Sequence, residues 1–368
     1  MNDLTIALNA HPRLSRPAVY RLAEELERWL GSTESPERLA AQIGVPKAQL
    51  EKALALAAKS DQVAAAAARE REEAARIGAR IVLAGEPAYP AVLRHLHLPP
   101  PVLSMRGELP AGHAVAIVGS RKADPYGREV AEVFARSLAA AGVTVVSGFA
   151  RGVDAAAHRG ALSAPEGRTV AVLGCGLGVD YPAGHTDLGN EIVARGAVIS
   201  ELPFGAEPRA WHFPVRNRVI AALSAGTLVV QATPRSGSLV TARHALDLGR
   251  QVWAVPGRIF DERSLGPNAL IRDGAALVQH PKEILEELFG VGSVLPLFDP
   301  TPAPEPAEPE PPPGLPGQVL VALPKEATRA PEELAAAAGL PVDQVLGALL
   351  ELELSGLVKR MPGGVYGR

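Results

Sequence analysis

The sequence predicts an α/β protein built on a doubly wound, mostly parallel sheet, with helices before it and a small helix-and-hairpin module after it. Three observations carry that reading. From about residue 113 the short apolar runs AVAIVG, VTVVSG, RTVAVLG, AVISEL, GTLVVQA and QVWAVPG recur, most of them ending at small residues. Helical segments such as GREVAEVFARSLAAAG and SGSLVTARHALDLG lie between them. The third observation is a Pro/Glu tract, DPTPAPEPAEPEPPPGLP, that separates this region from a short C-terminal stretch. Strands buried on both faces and alternating with helices specify an extended Rossmann-like sheet.

Taken in order, residues 1–85 read as a helical domain. LSRPAVYRLAEELERWL and SPERLAAQIGVPKAQLEKALALAAK show apolar spacing near 3.6, and their Ser-Pro and Ser-Arg-Pro starts resemble N-caps. ALAAKSDQVAAAAAREREEAARIGA is Ala-rich and charged and reads as one longer helix. Two short helix pairs of this kind fit a SAM-like or helix-hairpin-helix module, or a domain that only packs or tethers. Residues 86–112 read as a connector and 113–290 as the Rossmann-like domain. Residues 291–316 read as a Pro/Glu-rich linker, expected to be semi-rigid and extended. In 317–368, QVLVAL, APEELAAAAGL and PVDQVLGALLELELSGL give three helices and VKRMPGGVYGR a hairpin, together a winged helix.

Composition narrows the function classes. A chain of 368 residues with 47 % hydrophobic content supports a real core in two or three domains. A net charge of −3 makes any nucleic-acid site a local patch rather than a basic domain. The single Cys175 rules out an internal disulfide and a cysteine-rich metal site. Neither a signal-type N-terminus nor an apolar run of the ~18 residues needed for a membrane span is present. The expected setting is the reducing cytoplasm, with no membrane contact, metal or cofactor.

In an open α/β sheet, ligands sit outside the carboxyl ends of the strands. Those ends read GSRK (119–122), SGFARG (147–152), GCGLGVDYP (174–182), ELPFG (201–205) and ATPRSGS (232–238), and WHFPVRNR (211–218) leads into the helix before GTLVV. Glycines allow backbone N–H groups to approach an anion, and the helix N-termini that follow favour negative charge. No Walker GxxxxGK[ST] is present, and the first loop, GSRKADPYG, lacks the GxGxxG of a dinucleotide site. Of the 15 aromatic residues, Phe149, Tyr181, Phe204, Trp211, Phe213 and Phe260 fall in loops after strands. Rings beside arginines and backbone amides are the ingredients of a single-stranded nucleic-acid groove, where bases stack and phosphates pair with guanidinium groups. Taken singly, each ring could equally plug the edge of the sheet.

The segments GSRKADPYG, SGFARGVDAAAH, GCGLGVDYP, ISELPFG, FPVRNRVIAALS, SGSLVTARHALDLGRQVWAVPG and GPNALIRDGA, in this order, resemble the DNA-processing protein A (DprA, also called Smf) family. The resemblance covers residues 113–280 closely and the flanking domains more loosely. It implies a homodimer that binds single-stranded DNA, protects incoming strands and loads the RecA recombinase in natural transformation, with single-strand-binding protein as a further partner. By motif it implies that Gly119, Ser120, Arg121 and Lys122, then Gly148, Phe149, Arg151 and Gly152, line the DNA groove. Phe213, Arg216, Asn217 and Arg218 join them, with Ser236, Gly237 and Ser238 supplying backbone and hydroxyl contacts. It places Leu246 and Ile271 at the dimer contact; both also suit an ordinary core. Relatives often read Tyr-Pro-x-x-Asn, some with a basic third residue, where this chain reads Tyr181-Pro182-Ala183-Gly184-His185, so a charge is missing there.

Catalysis is not expected. Asp154 sits in a first helical turn, where favouring the helix N-terminus is its ordinary role. Glu201 has no carboxylate partner, His158 reads as packed, and Cys175 lacks a histidine. Two other classes remain as alternatives. A Rossmann-like nucleoside-monophosphate phosphoribohydrolase would need PGGxGTxxE, where this chain has SGSLVTARH. A winged-helix regulator would need a basic recognition helix, yet PVDQVLGALLELELSG holds three acids and no base.

Overall fold

The computed structural model describes residues 2–30, 35–290, 311–324, 328–361 and 363–367. The linker expected at 291–316 lies outside the described residues up to 310. The N-terminal helices are α1 (Asn2–Ala10), α2 (Arg16–Leu30), α3 (Pro36–Ile43), α4 (Lys47–Ala57) and α5 (Ser60–Arg76). They close over Leu8, Leu22, Leu26, Leu39 and Leu50. The Ser35 side chain caps α3 by accepting from the Arg38 N–H, Pro36 fills its first turn, and Gly44 at φ 63° ends it. The stretch from Ser35 to Lys59 is therefore two helices rather than one.

Beyond α5, β1 (Ala79–Leu83) and β2 (Val102–Gly107) form an antiparallel pair, and β2 continues antiparallel onto β6 (Ala197–Ser200). The segment expected to be a connector thus supplies a strand of the main sheet. Its Pro99-Pro100-Pro101 run reads as a linker, but proline is excluded only where its missing N–H is needed, and the strand starts at Val102, just past it.

The parallel core follows as β3 (Ala114–Val118), α6 (Pro125–Ala140), β4 (Thr144–Ser147), α7 (Val153–Ser163), β5 (Thr169–Val172), α8 (Thr186–Arg195), β6, α9 (His212–Ala222), β7 (Gly226–Val229), α10 (Gly237–Asp247), β8 (Gln251–Ala254), α11 (Glu262–Arg272), β9 (Ala276–Leu277) and α12 (Pro281–Phe289). Alternation along β3 shows how the sheet divides the interior. Val115 and Ile117 enter one core with Phe134, Leu138 and Trp253, whereas Ala116 and Val118 enter the other with Ile199 and Ile220. The strand order is β1-β2-β6-β5-β4-β3-β7-β8-β9. The chain winds outward from β3 to β6, then restarts beside β3 with β7, so the crevice of an open α/β sheet falls between the ends of β3 and β7.

Packing divides the chain into Met1–Phe298 and Asp299–Arg368. In the second unit α13 (Leu315–Ala322), α14 (Pro331–Ala338) and α15 (Val342–Leu354) enclose Val319, Leu334, Val345 and Leu349. β10 (Lys359–Arg360) pairs antiparallel with β11 (Tyr366–Gly367) to form the wing. Among the described residues no single helix is long and apolar enough to cross a membrane.

Candidate nucleic-acid interface

The loops at the β3/β7 crevice are laced together by the backbone. Ser120 N–H donates to the Gln231 carbonyl at 2.6 Å and Val153 N–H to the Ser120 carbonyl at 3.2 Å. Gly152, at φ 81°, makes this approach possible, because a Cβ there would collide with the Ser120 carbonyl. Asp124 caps α6 by accepting from the Gly127 N–H at 2.8 Å and accepts from Gln231 Nε2 at 2.9 Å, tying the loop after β3 to the end of β7. After β7, Ser236 caps α10 and its hydroxyl meets that of Ser238 at 2.7 Å.

A cavity of about 660 Å³ opens between these loops. Three guanidinium groups, Arg121, Arg216 and Arg235, and one carboxylate, Asp154, line it, beside the Ser236-Gly237-Ser238 turn at the N-terminus of α10. Excess positive charge at a helix N-terminus favours an anion. Arg121 is exposed, makes no ion pair among the described residues, and lies 4.5 Å from the centroid of Phe213. The half-buried Phe213 ring is held by Tyr181 at 5.6 Å. Phosphate and base chemistries are therefore side by side.

The expected site residues divide into two sets. Gly119, Arg121, Phe213, Ser236, Gly237 and Ser238 line the cavity. Ser120 and Lys122 line a neighbouring one, and Arg151 is exposed on the turn before α7, next to Gly152. The others are turned inward. Arg216 reaches the cavity wall but is only 4 % exposed, and its Nη1 donates to the carbonyls of Gly148 (2.8 Å) and Val172. Asn217 is buried and donates to the Gly237 carbonyl at 2.9 Å, which fixes the α10 turn. A Cβ on Gly148 would come within 2.7 Å of both the Arg216 guanidinium and the Asp154 carboxylate, so a side chain there would displace them.

Two expectations need correction. Phe149, expected to line the groove behind or against a base, has a left-handed backbone (φ 61°) that turns its ring into the core, edge-on to His185 at 5.3 Å, so it does not lie on the groove surface. Arg218, expected on the groove, is paired with Glu201 at 2.5 Å and lies 4.9 Å from the Tyr20 ring centroid, on the side of the N-terminal helices.

The ionisable groups weighed for catalysis are also accounted for. Burial pushes Asp154 up to about 6, against the opposing pull of Arg216 and a hydrogen bond from the Ala150 N–H. Burial likewise lowers Arg216 to about 10, raises the Cys175 thiol to about 11 and lowers His158 to about 3. His158 Nδ1 lies 2.7 Å from Thr169 Oγ1, deep in the sheet. Sequence reasoning did not single out Arg235 or Arg258. Both stand in loops that follow strands, and only the fold brings them to the cavities at the crevice.

Comparison with known proteins agrees with this architecture. Residues 80–289 match the family model described as DNA recombination-mediator protein A, and 302–364 match the DprA winged helix domain. Protein Smf of Escherichia coli is 40 % identical over 278 residues, covering 72 % of this chain and 71 % of the relative. The crystallographic DNA processing protein A of Streptococcus pneumoniae superposes with a TM-score of 0.63 at 30 % identity, covering 78 % of this chain and 96 % of that one. The structure concerned with the single-stranded DNA binding mode of the Helicobacter pylori protein gives 0.52 at 30 % identity, covering 57 % and 95 %. The chain belongs to the DNA recombination-mediator protein A (DprA/Smf) family.

Proposed function

We propose that this protein binds single-stranded DNA along the carboxyl edge of its sheet and acts as a recombination mediator that loads the RecA recombinase. The observation that carries the reading is Arg121, an unpaired guanidinium held over Phe213 at the switch point of the sheet, facing the N-terminus of α10. Its supports are the single-stranded DNA binding named for the Helicobacter pylori relative and the excess of cations over carboxylates in the crevice. In this reading Arg121, Lys122, Arg151 and Arg235 neutralise phosphates, the 236–238 turn receives one phosphate, and Phe213 contacts a base. Gly148, Phe149, Arg216, Asn217 and Arg218 hold the groove in shape. In this reading the action is non-catalytic: Glu201, His158 and Cys175 are buried away from the cavity, and Asp154, on its wall, is held by Arg216 and the Ala150 N–H. A homodimer working in the cytoplasm completes the proposal.

The test is a salt-dependent titration of single-stranded against duplex DNA. Each phosphate neutralised on a single strand contributes about −0.7 to the slope of log affinity against log salt. A preference for single strands with a slope of about −2 or steeper is expected. Equal affinity for duplex, or turnover of a nucleoside monophosphate, would replace this reading with one of the two alternatives.

A further inference from the structure

Of the six aromatic residues expected in loops after strands, Phe213 lies in the first turn of α9, and the structure separates Phe260 from the other five. Phe149 is buried, Tyr181, Phe204 and Phe213 are half-buried against neighbours, and Trp211, 50 % exposed, still packs its ring edge-on against His212 at 4.0 Å. Phe260 is 95 % exposed.

The turn that presents it is fixed at both ends. On one side Gly257 and Asn268 exchange two hydrogen bonds, N–H to Oδ1 at 3.1 Å and Nδ2 to carbonyl at 3.0 Å. On the other, the Asp261 N–H donates to the Arg258 carbonyl at 3.1 Å, and Asp261 caps α11 by accepting from the Arg263 N–H at 2.9 Å. A large apolar ring held out in water by an ordered turn has no packing role among the described residues.

The surroundings indicate what would cover it. Phe260 walls a cavity of about 870 Å³ with Ser120, Arg121, Lys122, Thr233 and Arg258, and Arg121 is also a wall of the proposed groove. The side chains of Arg121, Lys122 and Arg258 make no ion pair among the described residues. Arg263 is already paired with Asp261 (3.0 Å) and Asp124 (3.1 Å), which leaves Glu262 as the unpaired acid. Three free cations against one free carboxylate select a polyanion with flat apolar faces over a second protein surface.

We propose that Phe260 is a base-stacking platform for a nucleotide adjacent to the one at Phe213, so that the strand crosses Arg121 from one cavity into the other. This rests on the single-stranded DNA reading above. Phe260→Ala should weaken binding of an ordinary strand about tenfold, within the range for loss of one base–aromatic stack. It should leave the salt slope unchanged, because no phosphate contact is lost. Phe260→Trp should restore the affinity, and on an abasic strand Phe260→Ala should bind like the parent. A 2-aminopurine strand should be less quenched by the alanine variant.

Arg121→Ala, run in parallel, separates the two levels of the proposal. If Arg121→Ala weakens binding and Phe260→Ala does not, the groove stands and the platform is overturned. If neither variant weakens binding, the single-strand reading falls and the platform falls with it. If Phe260→Ala changes the oligomeric state measured by light scattering, the ring belongs to a contact between copies and the platform is overturned.

Discussion

The Arg218 guanidinium and the Glu201 carboxylate are 2.5 Å apart, and the Tyr20 hydroxyl donates to the same carboxylate oxygen at 2.5 Å. Tyr20 lies on α2, and from the same helix Arg16 donates to the Glu201 carbonyl at 3.2 Å. Glu201 follows β6 and Arg218 lies on α9, so the pair fastens the N-terminal helices to the end of the sheet. Breaking a buried ion pair by removing one partner costs about 3–5 kcal/mol, because the remaining charge is left without compensation. Arg218→Ala should therefore lower the denaturant midpoint sharply while the folded fraction keeps its salt slope. Arg121→Ala should do the reverse, flattening the slope by about 0.7 with the midpoint unchanged. If Arg218→Ala flattened the slope at undiminished stability, Arg218 would belong on the DNA after all.

The contrast between these arginines marks the limit of what the sequence conveys. The parallel sheet was legible because strands covered on both faces read as nearly continuous apolar runs, and β3 to β8 do. The crevice was legible too, since Gly119, Gly152 and the Ser236-Gly237-Ser238 turn stand at strand ends. Whether a guanidinium faces solvent depends on groups far away along the chain. Arg216 meets the Val172 carbonyl 44 positions earlier, and Glu201 meets Tyr20 across 181. Phe149 was misread because a left-handed φ on a non-glycine residue is rare, and one such residue reverses the direction of a ring. β2 was missed because it pairs antiparallel at the sheet's flank, outside the strand–helix rhythm that identified the other strands.

Asp154 should make the groove sensitive to pH. Its burial raises the pKa from 3.8 to about 6, opposed by Arg216 on α9, by the Ala150 N–H, by Arg121 on the loop after β3 and by Ser147 at the end of β4. Because the folded value lies above the unfolded one, the folded state binds the extra proton. Stability from this group is therefore fully present below about 4 and is lost as pH rises through 6. The same proton removes the cavity's negative charge, so single-strand affinity should rise about threefold (~0.7 kcal/mol) between pH 7.5 and 5.5. Burial keeps His185 and His212 below their usual values, which limits competing titration. Asp154→Asn should show a flatter profile in both stability and affinity. A wild-type affinity that falls toward pH 5.5 would sink the argument.

Leu246, on α10, is 56 % exposed, so it is not an ordinary core residue, whereas Ile271 on α11 is half-buried. If the two form the contact between copies, Leu246→Glu should yield a folded monomer by light scattering. Affinity for strands long enough to span two grooves should fall, while short strands bind as before, because paired grooves act through effective concentration. A Leu246→Glu protein that is still dimeric would remove α10 from the interface, and one that is unfolded would restore Leu246 to the core.

The winged unit is the last place where charge decides. Residues 315–368 carry five basic and six acidic side chains, and α15 presents Asp343, Glu351 and Glu353 with no base. Phosphates should be repelled by such a helix within a Debye length, ~8 Å at physiological salt. α15 also exposes Leu346, Leu350 and Leu354 at four-residue spacing, a surface suited to protein rather than to duplex DNA. Removing residues 300–368 should leave single-strand affinity within about threefold, a change below ~0.7 kcal/mol. The deletion leaves the Met1–Phe298 unit whole, so affinity can be measured on a folded protein. A loss of tenfold or more in a truncated protein with an unchanged oligomeric state would mean that the wing touches the strand. Lys359 and Arg360, both exposed on β10, would be the residues responsible, and their double alanine variant in the full chain should reproduce the loss.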